Sequence, residues 1–73
     1  MPEEQKFQLG DTAYMIDDDY RLFESTVYSI SLQKGHYSYD TYDCDFYTND
    51  IGDWVFETKK DREIHLESLF ADK

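Results

Sequence analysis

The chain has 73 residues, 18% of them aromatic, and its 17 Asp and Glu against seven Lys and Arg give a formal net charge of −10. This length allows one domain and excludes an active-site cleft between two domains. Because affinity for phosphates and for anionic membranes comes mainly from Lys and Arg, the charge argues against direct binding to nucleic acid or membranes and favours a partner with a basic surface.

The first six residues are polar, and we predict a disordered lead over residues 1–6 followed by a single domain over residues 7–73. Short runs rich in β-branched and aromatic residues, separated by turn residues, predict five strands. These strands are Thr12–Ile16, Leu22–Gln33, His36–Tyr42, Cys44–Thr48 and Trp54–Glu57. Lys34 and Gly35 occupy the place of a two-residue hairpin turn between the second and third strands.

The second predicted strand has a regular alternation from Val27 onward. This alternation places Tyr28, Ile30 and Leu32 on one face and Val27, Ser29 and Ser31 on the other, because successive side chains of a strand point to opposite faces.

The C-terminal segment changes to a helical period. Thr58 followed three residues later by Asp61 is typical of a helix N-terminus, and the apolar residues Ile64, Leu66, Leu69 and Phe70 recur at helical spacing. We predict a helix over about residues 59–71, which packs on one end of the sheet because it is too short to be stable alone. The predicted class is mainly β: a small, five-stranded, strongly bent antiparallel sheet or SH3-like barrel with a C-terminal helix.

Two segments resemble small barrel proteins. Residues Phe7–Tyr14, FQLGDTAY, are similar to the F-x-x-G-D-x-x-Y opening of small SH3-like or Tudor-like barrels. Asp50-Ile51-Gly52, followed by Val55-Phe56-x-Thr58, resembles the last strand and helix start of small accessory proteins of phages and mobile elements. The resemblance covers about residues 7–70 and implies a phage or mobile-element barrel, such as an anti-CRISPR or other anti-defence inhibitor. It implies no catalytic residue, and the basic groove of nucleic-acid-binding members is missing.

The sequence offers little for catalysis. Cys44 is the single cysteine and cannot form an internal disulfide, and the polar N-terminus does not resemble a signal peptide. Together these features predict a cytoplasmic protein, which is located in the host cell if it is phage-encoded. His36 is a candidate partner for Cys44 across a hairpin, but Asp43 and Asp45 beside the thiol raise its pKa rather than lower it. The aspartates lack EF-hand spacing, and one Cys with two separated His is not a zinc pattern. We predict no catalytic residue, no cofactor and no metal.

The acidic residues are the strongest functional signal. Residues 37–54 contain five aspartates and neither lysine nor arginine. The predicted partner-binding residues are these five aspartates, three more in the first loop, and three tyrosines: Asp40, Asp43, Asp45, Asp50, Asp53, Asp17, Asp18, Asp19, Tyr39, Tyr42 and Tyr47. Since alternate residues of a strand lie about 6.7 Å apart on one face, a sheet can hold carboxylates as an ordered array.

Two functions are compatible with this pattern. The first is a non-enzymatic acidic inhibitor that mimics nucleic acid and blocks the basic channel of a DNA- or RNA-handling nuclease or effector. The alternative is a protein-interaction adaptor that recognises a peptide or partner through its aromatic face. Acidity that serves only solubility also stays open, although the charge of −10 exceeds the roughly two to eight charges that a small domain needs. We expect a monomer or weak dimer, because acidic residues oppose the pairing of exposed strand edges.

Overall fold

The computed structural model describes residues 4–71. Five antiparallel strands form a curled half-barrel sheet, and a helix follows at the C-terminus, so the predicted mainly β class is confirmed. The elements are β1 (Thr12–Ile16), β2 (Leu22–Gln33), β3 (His36–Thr41), β4 (Asp45–Tyr47), a 3-10 turn (Thr48–Asp50), β5 (Val55–Phe56) and α1 (Lys59–Ala71). The strand order across the sheet is β4-β3-β2-β1-β5.

The long strand β2 joins the two halves of the sheet. Its residues 22–26 pair with β1, and its residues 27 and 29–33 pair with β3. The predicted two-residue turn follows it, with φ angles of 53° at Lys34 and 82° at Gly35. Positive φ at both central residues is what a type I′ hairpin turn requires, so this prediction is confirmed.

A β-bulge interrupts β2 between Val27 and Ser29. Val27 is fully buried, and Ile30, three residues later, packs against the same core, whereas Tyr28 is 51% exposed. The prediction that Tyr28 shares a face with Ile30 and Leu32 is therefore wrong, because one extra residue in the strand reverses the alternation.

Three aromatic rings form the centre of the core. Phe7, which precedes β1, is 2% exposed and makes edge-to-face contacts with Tyr39 at 5.6 Å and with Phe46 at 5.4 Å between ring centroids. Tyr39 and Phe46 are partners across β3 and β4, and their rings stack at 5.1 Å. Such ring pairs add stabilisation beyond the apolar area they bury, which suits a domain with a small core.

Helix α1 begins as the sequence predicts, with the N–H of Asp61 donating to Thr58 Oγ1 at 3.0 Å. Its contact with the sheet is different from the prediction. The His65 ring lies 5.0 Å from the Phe56 ring, and Arg62 is buried. Three of the four residues predicted to form the packed apolar face are instead largely exposed: Ile64 (53%), Leu69 (45%) and Phe70 (52%).

Arg62 attaches α1 to the first hairpin. Its guanidinium Nη1 lies 2.8 Å from Glu24 Oε2 and donates to the carbonyl oxygens of Phe23 at 3.2 Å and Met15 at 3.4 Å. The guanidinium carbon also lies 5.6 Å from the centre of the Tyr14 ring, within cation–π range. One buried side chain thus reaches two strands at once.

The predicted disordered lead, residues 1–6, falls partly outside the described residues. Of the part that is described, Lys6 donates its backbone N–H to the hydroxyl of Tyr39 at 3.0 Å. The last two residues of the predicted domain, 72 and 73, also lie outside the described residues. Within residues 4–71, α1 is not of the length and apolarity that a membrane crossing requires.

Candidate protein-binding surface

Asp40 and Asp45 face each other across β3 and β4. The neighbouring pair, Tyr39 and Phe46, is buried in the core, so the two carboxylates project from the outer face of the sheet. Burial first, and then repulsion by Asp45 and a hydrogen bond with it, raise the pKa of Asp40, whereas a hydrogen bond with Ser29 lowers it. Like charges placed directly opposite each other destabilise a sheet. We therefore expect this pair to lower the free energy of unfolding.

Replacement of Asp40 by Asn is expected to raise the melting temperature at pH 7. The neutral amide removes the repulsion, offers Asp45 a hydrogen-bond donor and keeps an oxygen that can accept from Ser29. Because the pKa of Asp40 is raised in the folded state, the wild type regains stability as the pH falls through that pKa towards the ordinary value of 3.8. The advantage of the variant therefore shrinks in the same pH window, which thermal unfolding at several pH values measures.

The matched control for this prediction is Asp43→Asn. It removes the same charge from the turn after β3 rather than from the strand pair. An equal rise in melting temperature for both variants at pH 7 would show that net charge, and not the facing carboxylates, is responsible.

Two other predicted aspartates hold turns. Oδ1 of Asp17 accepts the N–H groups of Asp19 and Arg21, each at 2.8 Å, which closes the loop between β1 and β2. Oδ2 of Asp50 accepts the N–H of Tyr47 at 2.9 Å, at the start of the 3-10 turn. The carboxylates of Asp17 and Asp50 add to the negative charge of the surface, but each also has a structural role as the acceptor of backbone N–H groups in its turn.

The three predicted tyrosines are not equivalent. Tyr42 and Tyr47 are 76% and 61% exposed, and the Tyr42 ring stacks on Tyr28 at 5.0 Å. Tyr39, in contrast, is fully buried. Its prediction as a partner-binding residue is wrong, because its ring fills the core between Phe7 and Phe46.

A groove of about 590 Å³ lies between α1 and the loops at one end of the sheet. It is lined by Ile16, Asp17, Asp18, Tyr20, Phe23, Cys44, Asp53, Trp54, His65 and Leu69. Three predicted aspartates from two separate parts of the sequence therefore meet at one site. No lysine or arginine among residues 4–71 lines this groove.

The pairing of β5 with β1 explains this meeting. Because the two strands are antiparallel, the loop that follows Ile16 lies beside the turn that precedes Val55. The N–H of Ile16 donates to the carbonyl of Trp54 at 3.0 Å, which fixes the two segments together. The sequence predicts the two acidic segments separately, and only the strand order shows that they are neighbours.

Cys44 lies in a setting that disfavours the thiolate. Thr41 Oγ1 accepts the Cys44 N–H at 3.1 Å and donates to the Cys44 carbonyl at 2.6 Å. Burial has the largest effect and raises the pKa of the thiol, a hydrogen bond with Thr41 lowers it, and the charges of Asp43 and then Asp45 raise it further. His36 begins β3 whereas Cys44 follows its end, so the structure does not bring these two residues together.

No protein-family model matches the chain, and comparisons with curated proteins and with solved structures give no significant match. Among residues 4–71, no group of three or more His, Cys, Asp or Glu side chains has an arrangement that could hold a metal ion. Two surfaces remain as candidates: the acidic face, which we define as Asp40, Asp43 and Asp45, and the groove beside α1.

Proposed function

We propose that this protein is a non-enzymatic, acidic protein-binding module that inhibits a DNA- or RNA-handling protein by occupying its basic channel. The acidic face takes the place of the phosphates, and the exposed rings of Tyr42 and Tyr47 provide anchors beside it. The partner is a nuclease or effector with a basic nucleic-acid channel, of the kind that phage anti-CRISPR and anti-restriction proteins block.

The distribution of charge supports this proposal. Between Leu22 and Thr58, Lys34 is the single lysine or arginine against seven Asp and Glu. Ten charges correspond to about 17 Å of duplex, whereas the longest dimension of the protein is 41 Å. Residues 22–58 carry a net charge of −6 and the rest of the chain −4, so a resemblance to nucleic acid depends on how the carboxylates are arranged and not on the total charge.

The carboxylate pair of Asp40 and Asp45 is the observation on which the proposal depends most. Solubility requires negative charge, but it does not require two carboxylates opposite each other on neighbouring strands. A site that receives phosphates does require negative charges at fixed positions. The two residues lie on paired strands beside the buried pair Tyr39 and Phe46, so their backbone positions are fixed.

The edges of the sheet support action as a monomer or weak dimer. The edge strands β4 and β5 contain three and two residues, and short edge strands offer few unpaired backbone groups to a second chain. For a protein that blocks a nuclease or effector we further propose a cytoplasmic location, in the host cell if the protein is phage-encoded.

The test is cleavage of a labelled duplex by a panel of CRISPR effector nucleases and restriction endonucleases. We expect inhibition that excess DNA competes away and that falls steeply between about 50 and 300 mM salt. The triple variant Asp40→Asn, Asp43→Asn, Asp45→Asn is expected to inhibit at least about 100-fold less well. The reason is that these three carboxylates would pair with the Lys and Arg side chains of the partner's channel. Its melting temperature is not expected to fall.

The matched control changes the same number of charges elsewhere, with Asp61→Asn, Glu63→Gln and Glu67→Gln at exposed positions of α1. It is expected to retain most of the inhibition. Full inhibition by the variant of the acidic face, or inhibition that DNA does not compete with, would reject nucleic-acid mimicry.

The adaptor remains a second candidate because Tyr28 and Tyr42 form a stacked pair that is 51% and 76% exposed. For an adaptor, Tyr28→Ala and Tyr42→Ala should weaken partner binding more than the three Asp→Asn changes do. Charge neutralisation should then change the association rate more than the affinity.

A further inference from the structure

We propose that the groove beside α1 binds a short basic, amphipathic segment of the partner protein. An apolar side chain of that segment inserts between Trp54 and Leu69, and flanking Lys or Arg side chains pair with Asp18 and Asp53. This inference rests on the proposed function, because it assumes a basic protein partner. It assigns a contact that is separate from the acidic face.

The apolar floor of the groove is held in place from below. Trp54 is half-buried, and its ring meets Phe46 edge-on at 6.3 Å, so the core fixes its orientation. Its backbone is tied on both sides, since its carbonyl accepts the Ile16 N–H at 3.0 Å and its N–H donates to the Asp50 carbonyl at 3.2 Å. A volume of about 590 Å³ suits a few inserted side chains.

The outer wall of the groove is also ordered. Tyr20 has a φ of 63°, and its N–H donates to the Asp17 carbonyl at 3.0 Å. Its ring contacts Phe70 of α1 at 5.5 Å, which joins the first loop to the helix. A wall that is already ordered loses little conformational entropy when a ligand binds.

Several apolar side chains in and beside the groove are exposed to solvent. Tyr20 is 57% exposed, Leu69 is 45% exposed and Phe70 is 52% exposed. Contiguous apolar surface with a polar rim is typical of interaction sites. The exposed half of α1 thus provides apolar area that a partner segment can bury.

Charge complementarity selects the occupant. Asp17, Asp18 and Asp53 line the groove together with His65, and no lysine or arginine among residues 4–71 lines it. Acidic segments and nucleic acids are repelled, and a purely basic peptide would leave the apolar floor unfilled. An apolar residue flanked by Lys or Arg satisfies both parts of the site.

Fluorescence of Trp54 provides a direct test, because it is the single tryptophan of the chain and lines the groove. The probe is the synthetic peptide acetyl-Lys-Lys-Phe-Leu-Lys-Lys-amide, titrated into the whole protein at low salt. We expect a saturable change in Trp54 emission. Hexalysine and the peptide acetyl-Glu-Glu-Phe-Leu-Glu-Glu-amide are expected to leave the emission unchanged at the same concentrations.

Two matched pairs of variants locate the site. Leu69→Gln is expected to weaken peptide binding roughly fivefold, whereas Ile64→Gln, at an exposed position of α1 outside this groove, leaves it within about twofold. Asp18→Asn with Asp53→Asn is expected to weaken binding roughly tenfold, whereas Glu63→Gln with Glu67→Gln leaves it nearly unchanged. All six positions are exposed, so the variants are expected to fold.

The groove proposal is rejected if the peptide leaves Trp54 emission unchanged, if hexalysine acts equally well, or if Leu69→Gln binds as the wild type does. This titration contains no nuclease, so its failure leaves the inhibition experiment unaffected. Conversely, peptide binding in the groove without inhibition of any nuclease would reject nucleic-acid mimicry and leave the groove assignment in place.

Discussion

Arg62→Ala is expected to lower the free energy of unfolding by about 3 kcal/mol. The change removes three hydrogen bonds from a side chain that is 8% exposed, together with its packing over the Tyr14 ring. The Glu24 side chain is 41% exposed, so solvent screens the ion pair between Glu24 and Arg62 and weakens its contribution to stability. Most of the expected loss of stability therefore comes from the buried guanidinium. A 73-residue domain has roughly 4–11 kcal/mol of stability in total, so urea unfolding should detect the change easily.

Two further variants test the role of Arg62. Lys59→Ala, at the exposed first residue of α1, is expected to change stability by less than about 0.5 kcal/mol. Arg62→Lys should fall between wild type and Arg62→Ala, because an ammonium group keeps the charge but cannot place a planar guanidinium over the Tyr14 ring. Equal stability of the Arg62→Ala and Lys59→Ala variants would mean that this contact does not hold the helix to the sheet.

Tyr39→Ala is expected to cost about 4 kcal/mol, because it removes the central ring of the aromatic core and leaves a cavity between Phe7 and Phe46. Tyr39→Phe should cost only about 1 kcal/mol, since it loses one hydrogen bond, from the Lys6 N–H to the hydroxyl. Denaturant unfolding of both variants checks the two values.

The same position separates structure from binding. Tyr39→Phe is expected to inhibit the target as the wild type does, because a fully buried ring cannot reach a partner. Tyr47→Ala, at a 61% exposed position, should leave stability within about 0.5 kcal/mol but weaken inhibition. A loss of inhibition in a stably folded Tyr39→Phe variant would contradict the assignment of Tyr39 to the core.

Much of the fold could be predicted from local sequence. The bounds of β1 and β2 agree with the prediction, because alternating residues are followed by clear turn signals, and the helix begins at the residue after Thr58. The bulge at Tyr28 could not be predicted, since neither glycine nor proline marks it. Arg62 was missed because a cation on a short helix is expected to face solvent.

The candidate surface could be predicted only in part. The alternation of β3 already implies that Tyr39 and Asp40 point to opposite faces, so a partner surface that includes Asp40 cannot include Tyr39. The groove needed a fact that local patterns do not contain. Strand β5 pairs with β1, which is distant in the sequence, and this pairing brings Asp53 next to the loop between β1 and β2.

The bulge in β2 also determines which changes the sequence can accept over evolutionary time. Deletion of the one extra residue at Tyr28 would reverse the two faces of the second half of the strand. Ile30 and Leu32 would then point outward in place of the serines. The exposed residues of this strand can therefore change, whereas its length is fixed. Insertions and deletions in relatives of this chain should be confined to the loops.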